Sequence, residues 1–398
     1  TGDGNNICVL GDLDQCIYTW RQARLENLLL FEKSFPGTKV VLLEQNYRST
    51  QTILTAANAV IEKNINRHPK RLFTDNPTGD PIVLASHLDE QAEARYVAQT
   101  ARELLGSGVK ASEIAVLYRE NFLSRGIEEQ FIQLGLPYRV LGTRFFDRKE
   151  VKDVLSYLRA SLNPSSRLDV ARAVGSPPRG IGKTTLEKLF SNGVESLAGA
   201  ARVKVNTFFA LLASIKNAVE TKKPSETVAF VITASGMEKH FKEGDAEDQE
   251  RLQNVRELVS LAVKYDDLSP QEGVERLLED AALMTDQDSL DSSTDAISLM
   301  TVHASKGLEF DAVIITGLEQ GLFPSIRMND ETRDPEEERR LFYVAVTRAR
   351  KRLTLTLARV RRLYGTDYFA EPSHFLYDID EGLMYSVPPD GSGEVIID

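Results

Sequence analysis

Two short apolar runs, Ile82-Val83-Leu84-Ala85 and Ile114-Ala115-Val116-Leu117, decide the fold of this chain. Each run has the length and the β-branched content of a buried strand. The acidic segment 89–105 between them is typical of a helix. A strand, a helix and a second strand in this order predict a right-handed crossover and a parallel sheet that is covered on both faces.

The same pattern extends on both sides of this stretch. Towards the N-terminus, residues 7–10 and 40–43 are predicted strands, and apolar residues at helical spacing over 53–61 predict a helix. Towards the C-terminus, strands are predicted at 297–302, 312–315 and 353–357. A further helix is predicted to begin at Pro335, with three glutamates in its first turn, where acidic side chains complement the helix dipole.

Between about residue 145 and residue 291 the pattern is almost entirely helical. Val151, Val154 and Leu158 mark one apolar face, and Ser269-Pro270-Gln271-Glu272 has the pattern of a helix start. Residues 285–295 are polar, acidic and serine-rich, which predicts a linker. The simplest architecture is one α/β domain with a parallel sheet, interrupted by a mostly α-helical inserted subdomain.

Composition limits the class of protein. The chain has 398 residues, of which 42% are hydrophobic and 27% charged, as in ordinary soluble proteins, and its longest apolar runs are far too short to span a membrane. Its two cysteines, Cys8 and Cys16, predict no disulfide framework, so we expect a cytoplasmic protein. The net charge of −11 argues against nucleic-acid binding over most of the protein surface, but it permits a local basic groove.

Two arginines, Arg48 and Arg348, lie in segments predicted to join strands and helices. Such junctions present side chains to ligands in α/β folds. The planar guanidinium group stays charged and pairs bidentately with oxyanions, so an arginine at a junction suits a phosphate ligand. A single arginine is more often a solvated surface residue, so the interpretation depends on the surrounding sequence.

Four separated segments resemble motifs of the UvrD/PcrA/Rep family of superfamily 1 DNA helicases. The resemblance extends over almost the whole chain, although it is thin between Leu189 and Glu250, and the four segments occur in the family's order. In this sequence they read GDLDQCIYTWR (11–21), QNYRST (45–50), LMTVHASKGLEF with GLFP (299–310 and 321–324) and ERRLFYVAVTRA (338–349). Cys16 stands where the family usually has serine.

The resemblance implies ATP as the nucleotide. By analogy with the family, Gln15 senses the γ-phosphate, Tyr47 stacks on adenine, and Glu309 contacts the ribose, with Gly307 in the same loop. Arg48 and Arg348 correspond to arginine fingers, which can accelerate phosphoryl transfer by ~10³–10⁵-fold. The expected catalytic residues are therefore Gln15, Arg48 and Arg348, and no residue is expected to bind a metal.

The resemblance also implies contacts with single-stranded and duplex DNA. Trp20 corresponds to a base-stacking tryptophan, although a lone tryptophan could equally pack in a core, and His303 is assigned by the motif alone. Gly180 and Gly182 correspond to a turn whose backbone N–H groups contact duplex phosphates. The complete set of expected DNA contacts is Tyr18, Trp20, Arg21, Arg119, Asn121, Gly180, Gly182, Thr301 and His303.

The segment Arg179-Gly180-Ile181-Gly182-Lys183-Thr184 also looks like the end of a P-loop, G-x-x-x-x-G-K-[ST]. The first glycine of that pattern would fall at Pro177, and the preceding residues Leu168 to Val174 predict a helix instead of a strand. We therefore reject a P-loop here, and with it a small kinase built on Lys183.

The sequence contains no P-loop, and we predict no segment to be the Mg²⁺-binding strand that ends in Asp-Glu in the family. We therefore expect the C-terminal part of an ATP-dependent 3′–5′ helicase whose missing N-terminal RecA-like half holds ATP and Mg²⁺, and we expect this part alone to bind neither tightly. The expected divisions are a remnant of the first RecA-like domain (1–46), the second RecA-like domain (47–145 and 291–398) and the helical insertion (146–290). The alternative is a non-catalytic DNA-binding or partner-docking module that retains helicase motifs.

Overall fold

A computed structural model of the chain describes residues 8–18, 30–67, 70–287, 295–325, 334–363 and 365–388. These residues form two compact units. The first unit is drawn from 1–142, 294–361 and 369–398, and the second from 143–293 and 362–368. None of the helices in the described ranges is long and apolar enough to cross a bilayer.

The first unit is built on a parallel sheet with the strand order β3-β4-β2-β5-β6-β1-β8, and β7 pairs with β6 outside this path. Five strand predictions, at 82–85, 114–117, 297–302, 312–315 and 353–357, are confirmed within a few residues. The strands are β1 (Ile82–Asp89), β2 (Ile114–Tyr118), β3 (Tyr138–Leu141), β4 (Ile297–Thr301), β5 (Phe310–Ile315), β6 (Ala349–Leu363), β7 (Thr366–Phe369) and β8 (Met384–Val387).

Helices cover both faces of this sheet. Those of the first unit are α1 (Phe31–Ser34), α2 (Gln51–Ile61), α3 (Glu90–Gly106), α4 (Ser124–Gln133) and α13 (Pro335–Val346). Helices α2 and α13 share one buried cluster with Ala115 and Leu117 of β2. Because successive strand residues point to opposite faces, Ile114 and Val116 point to the other face, which α3 covers. The α/β class with a parallel sheet is confirmed.

Local sequence signals explain where two of these helices begin. The Asp89 side chain accepts a hydrogen bond from the Ala92 N–H at 2.8 Å and caps α3. Asp334 caps α13 in the same way, through the Glu336 N–H at 2.9 Å, and Pro335 occupies the first helical position. Side-chain oxygens at this position satisfy N–H groups that the helix itself leaves unpaired.

The second unit is helical apart from residues 362–368, which include the end of β6 and most of β7. Its core is one apolar cluster that includes Val154, Leu158, Phe208, Val255 and Leu277. Its helices are α5 (Lys149–Leu162), α6 (Arg167–Gly175), α7 (Lys183–Asn192), α8 (Gly199–Thr221), α9 (Pro224–Ala234), α10 (Met237–Lys242), α11 (Ala246–Ala262) and α12 (Pro270–Gln287).

The two predicted N-terminal strands are not confirmed. Residues 40–43 form no strand and are largely exposed, and residues 8–10 are also irregular, while Ile7 lies outside the described residues. A strand needs a neighbour for its N–H and C=O groups. The nearest pairing in the described chain is an isolated bridge between Gln45 and Phe73. The apolar composition of 40–43 was therefore a poor predictor of a strand.

The rejection of a P-loop at Lys183 is confirmed. Helix α6 precedes the turn, the Ser176–Pro177 peptide bond is cis, and α7 begins at Lys183 with Gly182 as its N-cap. A P-loop requires a strand at its entrance, and none lies there. The predicted linker over 285–295 begins too early, because residues 285–287 are the end of α12, and residues 288–294 lie outside the described residues.

Candidate functional site

The loop before α2 is fixed against the start of β6, which places Arg48. The side-chain oxygen of Asn46 accepts hydrogen bonds from the N–H groups of Arg48 and Ser49, each at 2.9 Å. The Ser49 hydroxyl donates to the Ala349 carbonyl at 2.7 Å, and the Thr50 N–H donates to the Arg350 carbonyl at 3.1 Å. The QNYRST and TRA segments are therefore in direct contact.

The guanidinium group of Arg48 lies between two further motifs. Its Nε donates to Glu309 Oε2 at 2.6 Å, and its Nη1 donates to the Thr347 carbonyl at 3.2 Å. The hydrogen bond from Arg48, aided by the charge of Arg350, lowers the pKa of Glu309 below its usual value. The pair is partly open to solvent, with 28% of the Arg48 side chain and 43% of the Glu309 side chain exposed.

Arg348 lies two residues beyond the end of α13 and is 2% exposed. Its Nε donates to the Val344 carbonyl at 3.1 Å and its Nη1 to the Leu308 carbonyl at 3.0 Å. Burial and the positive charge of Arg48 lower the pKa of Arg348 to about 10, so it remains protonated at neutral pH. The site thus holds a buried cation whose hydrogen-bond acceptors are neutral.

The other predicted nucleotide contacts flank this pair. Tyr47 precedes Arg48 and is 79% exposed, with its hydroxyl donating to Gln45 Oε1 at 2.7 Å. Gly307 lies two residues before Glu309 with φ at +89°, a conformation that favours glycine. Arg48, Glu309 and Arg348 are brought together in the structure, with Tyr47 and Gly307 beside them along the chain.

Sequence reasoning missed Arg350, which joins this cluster. Its Nε donates to Asp311 Oδ1 at 2.8 Å, its Nη1 lies 3.5 Å from Glu309 Oε1, and its Nη2 contacts Glu113. The cluster depends on strand pairing, because Glu309 precedes Phe310 of β5, Arg350 follows Ala349 of β6, and Phe310 and Ala349 are paired. It could be recognised only after the strand pairing was known.

Segment 12–18 holds Gln15 and Tyr18 against the loop that follows β4 in the first unit. The Gln15 side chain donates to Asp12 Oδ2 at 2.7 Å, and the Gln15 carbonyl accepts from Lys306 Nζ at 2.8 Å. The Tyr18 hydroxyl donates to the His303 carbonyl at 2.9 Å, and the two rings are 6.0 Å apart. Trp20 and Arg21 lie outside the described residues.

The predicted DNA contacts of the sheet lie at the carboxyl ends of neighbouring strands. Tyr118 of β2 pairs with Thr301 of β4, and the Val302 N–H donates to the Tyr118 carbonyl at 2.9 Å. Arg119 and Thr301 therefore occupy the same edge of the sheet, with Asn121 and His303 in the loops that follow. Ligands of open parallel sheets bind at this edge.

Arg119 already has an anionic partner. Its Nη2 donates to Glu338 Oε1 at 2.7 Å, and the other Glu338 oxygen accepts from the Ser325 N–H at 2.9 Å. The side chains of Arg119 and Glu338 are 14% and 6% exposed. This buried pair gives Arg119 a structural role in addition to the predicted DNA contact, which stays a prediction.

Gly180 and Gly182 belong to the second unit and are exposed. Gly180 has φ at +66°, and its carbonyl accepts a hydrogen bond from Lys204 Nζ at 3.3 Å. Gly182 is the N-cap of α7, so the first N–H groups of that helix lie at this turn. The backbone N–H groups at the start of α7 are therefore located at this turn, and such groups can bind an anion.

Family comparison agrees with the four motifs. The family model of the UvrD-like helicase C-terminal domain matches residues 41–360, and that of the UvrD/REP helicase N-terminal domain matches residues 1–36. The chain belongs to the UvrD-like helicase C-terminal domain family. The first match spans both the parallel sheet and the helical unit, so this UvrD-like region includes Arg48, Glu309 and Arg348.

Curated relatives of this UvrD-like chain are named as DNA helicases. It is 40% identical to the ATP-dependent DNA helicase PcrA of Bacillus subtilis over 95% of the chain and 54% of that protein. It is 39% identical to DNA helicase II of Escherichia coli over 97% of the chain and 56% of that protein. The chain thus spans about half the length of the curated relatives it matches.

Proposed function

We propose that this chain is the C-terminal part of an ATP-dependent DNA helicase that translocates 3′ to 5′ on single-stranded DNA and unwinds duplexes. It supplies one wall of the nucleotide site, with Tyr47 for adenine, Glu309 for ribose, and Arg48 and Arg348 for the phosphates. The convergence of Arg48, Glu309 and Arg348, from three separated motifs, is the observation that carries this proposal.

The electrostatics of this cluster favour an anionic ligand. Burial and the nearby charge of Arg48 lower the pKa of Arg348, which means that the fold disfavours this cation in the absence of an anion. The ion pair between Arg48 and Glu309 is partly exposed, and such pairs contribute only ~0–1 kcal/mol. A polyphosphate can therefore compete with Glu309 for Arg48, and its negative charge would stabilise the protonated form of Arg348.

The carboxyl edge of the sheet is the proposed path of single-stranded DNA. Thr301 and His303 follow β4, Arg119 and Asn121 follow β2, and Tyr18 contacts the His303 backbone. Trp20 and Arg21 follow Tyr18 in sequence and are proposed to contribute stacking and charge. Duplex DNA would bind separately, at the turn of Gly180 and Gly182.

Turnover requires groups that this sequence does not contain. A lysine in a G-x-x-x-x-G-K-[ST] loop holds the β- and γ-phosphates, and an acidic residue holds Mg²⁺. The G-x-x-x-x-G-K-[ST] pattern does not occur in the 398 residues, and in the Asp-Glu pair at the end of β1, Asp89-Glu90, Asp89 serves as the N-cap of α3. We therefore propose that the missing N-terminal RecA-like half supplies both, that the isolated chain hydrolyses no ATP, and that the parent acts in the cytoplasm at the bacterial nucleoid.

The isolated chain tests the proposal directly. We expect it to bind labelled oligothymidylate of about 20 nucleotides, a few site sizes for this class of protein, with an affinity that falls as salt rises. We expect no ATP hydrolysis above background with or without DNA. The absence of single-strand binding, or DNA-stimulated turnover by the pure chain, would contradict the proposal.

A further inference from the structure

The carboxylate of Asp14 is buried and held by an arginine from a distant part of the chain. Asp14 is 1% exposed, and Arg67 binds it bidentately, with Nε 3.0 Å from Oδ1 and Nη2 2.9 Å from Oδ2. The Arg67 side chain is itself 10% exposed. Bidentate pairing of this kind fixes direction as well as distance, so it defines where Asp14 lies.

Lys70 extends this pair to Gln15. Its Nζ lies 2.5 Å from Asp12 Oδ1 and 3.5 Å from Asp14 Oδ2. The second oxygen of Asp12 accepts the hydrogen bond from the Gln15 side-chain amide at 2.7 Å. We name four charged residues the anchor cluster: Asp12, Asp14, Arg67 and Lys70. Through Asp12, this cluster contacts the side chain of Gln15, the proposed γ-phosphate sensor.

The remainder of segment 12–18 is also attached to the first unit. Arg340 of α13 donates through Nε to the Cys16 carbonyl at 3.0 Å, and Ile17 is fully buried in the cluster that contains α2 and α13. Tyr18 then contacts the His303 backbone. The anchor cluster lies at one end of this short segment and the proposed DNA contact at the other.

We propose that Arg67 and Lys70 are positioning residues that fix segment 12–18 to the first unit. They thereby place Gln15 for the nucleotide and Tyr18 for the DNA strand. Because the segment is irregular except for one short 3-10 turn over Leu13–Gln15, its own backbone hydrogen bonds do not define its position. The functional part of this inference rests on the proposed function, whereas the anchoring itself does not.

Removal of Arg67 tests the anchoring. In Arg67→Ala the charge of Asp14 loses its bidentate partner, and we expect amide exchange in a peptide covering 12–18 to rise by about tenfold or more, as local opening becomes easier. A peptide covering β4 and β5 should be unchanged, which excludes global loosening. Arg71→Ala is the matched control, because the Arg71 side chain is 74% exposed.

The same variants test the effect on DNA. We expect Arg67→Ala to weaken binding of single-stranded oligothymidylate by about tenfold, the size of the loss of one stacked base. Arg67→Lys and the charge exchange Asp14→Arg with Arg67→Asp should each recover part of the affinity. Recovery by the exchanged pair would show that the ion pair, and not the arginine by itself, supports the affinity, while an unchanged exchange rate in β4 and β5 excludes a general loss of stability.

Two results would overturn the proposal. One is exchange in 12–18 that stays at the wild-type rate in Arg67→Ala. If Arg67→Ala does not fold, the comparison is made with Asp14→Asn, which removes the charge at nearly equal volume. The second contradicting result is exchange in 12–18 that stays at the wild-type rate in Asp14→Asn. If the wild-type chain binds no single-stranded DNA, the proposed function fails, but the exchange comparison still decides whether the pair of Arg67 and Asp14 anchors the segment.

Discussion

Arg48 and Glu309, 261 residues apart in the chain, form an ion pair in which Nε lies 2.6 Å from Oε2. The contact joins the loop before α2 to the loop before β5, and Arg348 lies beside it. Each partner is also a proposed ligand contact, for phosphate and for ribose respectively. The pair therefore holds the two proposed ligand contacts together, and in the proposed function a nucleotide competes with Glu309 for Arg48.

This ion pair should contribute little to stability. Because both side chains are partly exposed, we expect Glu309→Gln to lower the free energy of unfolding of the isolated chain by no more than about 1 kcal/mol. Urea unfolding measures this, with Glu243→Gln, at an exposed position on the second unit, as a control. A loss above about 2 kcal/mol would mean that the pair is a structural element instead of an exchangeable contact.

The buried ions around Arg361 should behave in the opposite way. Arg361 binds Glu93 and Glu319 at 2.5 Å, and all three side chains are 4% exposed or less. Arg361→Met leaves two buried carboxylates without a cation, and we expect a loss of about 3–5 kcal/mol in urea unfolding. Arg359→Ala, at an exposed position of the same strand, should cost less than about 0.5 kcal/mol. Equal effects of the two changes would contradict this account.

The pH dependence of the second unit should include a contribution from Glu238. Hydrogen bonds from Lys242 and Arg256 lower its pKa to about 2. Because the folded-state pKa lies below the unfolded one, the stabilisation is present above about pH 4.5 and is lost as pH falls towards 2. The side chain is 27% exposed, so we expect less than about 1 kcal/mol after solvent screening.

Glu238→Gln should remove this contribution. The measurement is the difference in unfolding free energy between wild type and variant at about pH 6 and again at about pH 3, a range that spans the unfolded pKa of glutamate. We expect the difference to shrink at the lower pH. A difference that grows as pH falls would have the wrong sign for a lowered pKa.

Substitutions at Arg119 can distinguish its structural role from the proposed contact with DNA. Arg119→Ala leaves Glu338 buried beside the Ser325 N–H without its cation, so we expect a loss of about 3 kcal/mol or more in unfolding free energy. Arg119→Ala with Glu338→Gln removes the unpaired charge and should recover much of that stability. If the double variant folds well and binds single-stranded DNA as tightly as wild type, the proposed contact of Arg119 with DNA is wrong.

The sequence predicted the long central strands and the helical insertion because their apolar periodicity is strong. It missed β3, β7 and β8, which are short and lie at or near the edge of the sheet, where one exposed face weakens the pattern. It overpredicted a strand at 40–43, because apolar composition cannot show whether a neighbouring strand exists.

The candidate site was recognisable only where a residue belongs to a motif. Arg48, Glu309 and Arg348 were named in advance, and their proximity is a result of the fold. Arg67, Lys70 and Arg350 were not named, because their partners Asp14, Asp12 and Asp311 lie far away in sequence. Long-range ion pairs leave no periodic signal in a single chain, so strand register and loop geometry are needed to find them.

The most direct test of the central claim is the DNA-stimulated ATP turnover of the full-length parent enzyme carrying Arg48→Ala, with Arg71→Ala as the matched control. We expect turnover to fall by ~10³-fold or more, the contribution of an arginine finger, while affinity for single-stranded DNA stays within about twofold of wild type. Turnover by Arg48→Ala within about tenfold of the control would contradict the claim that Arg48 acts on the nucleotide.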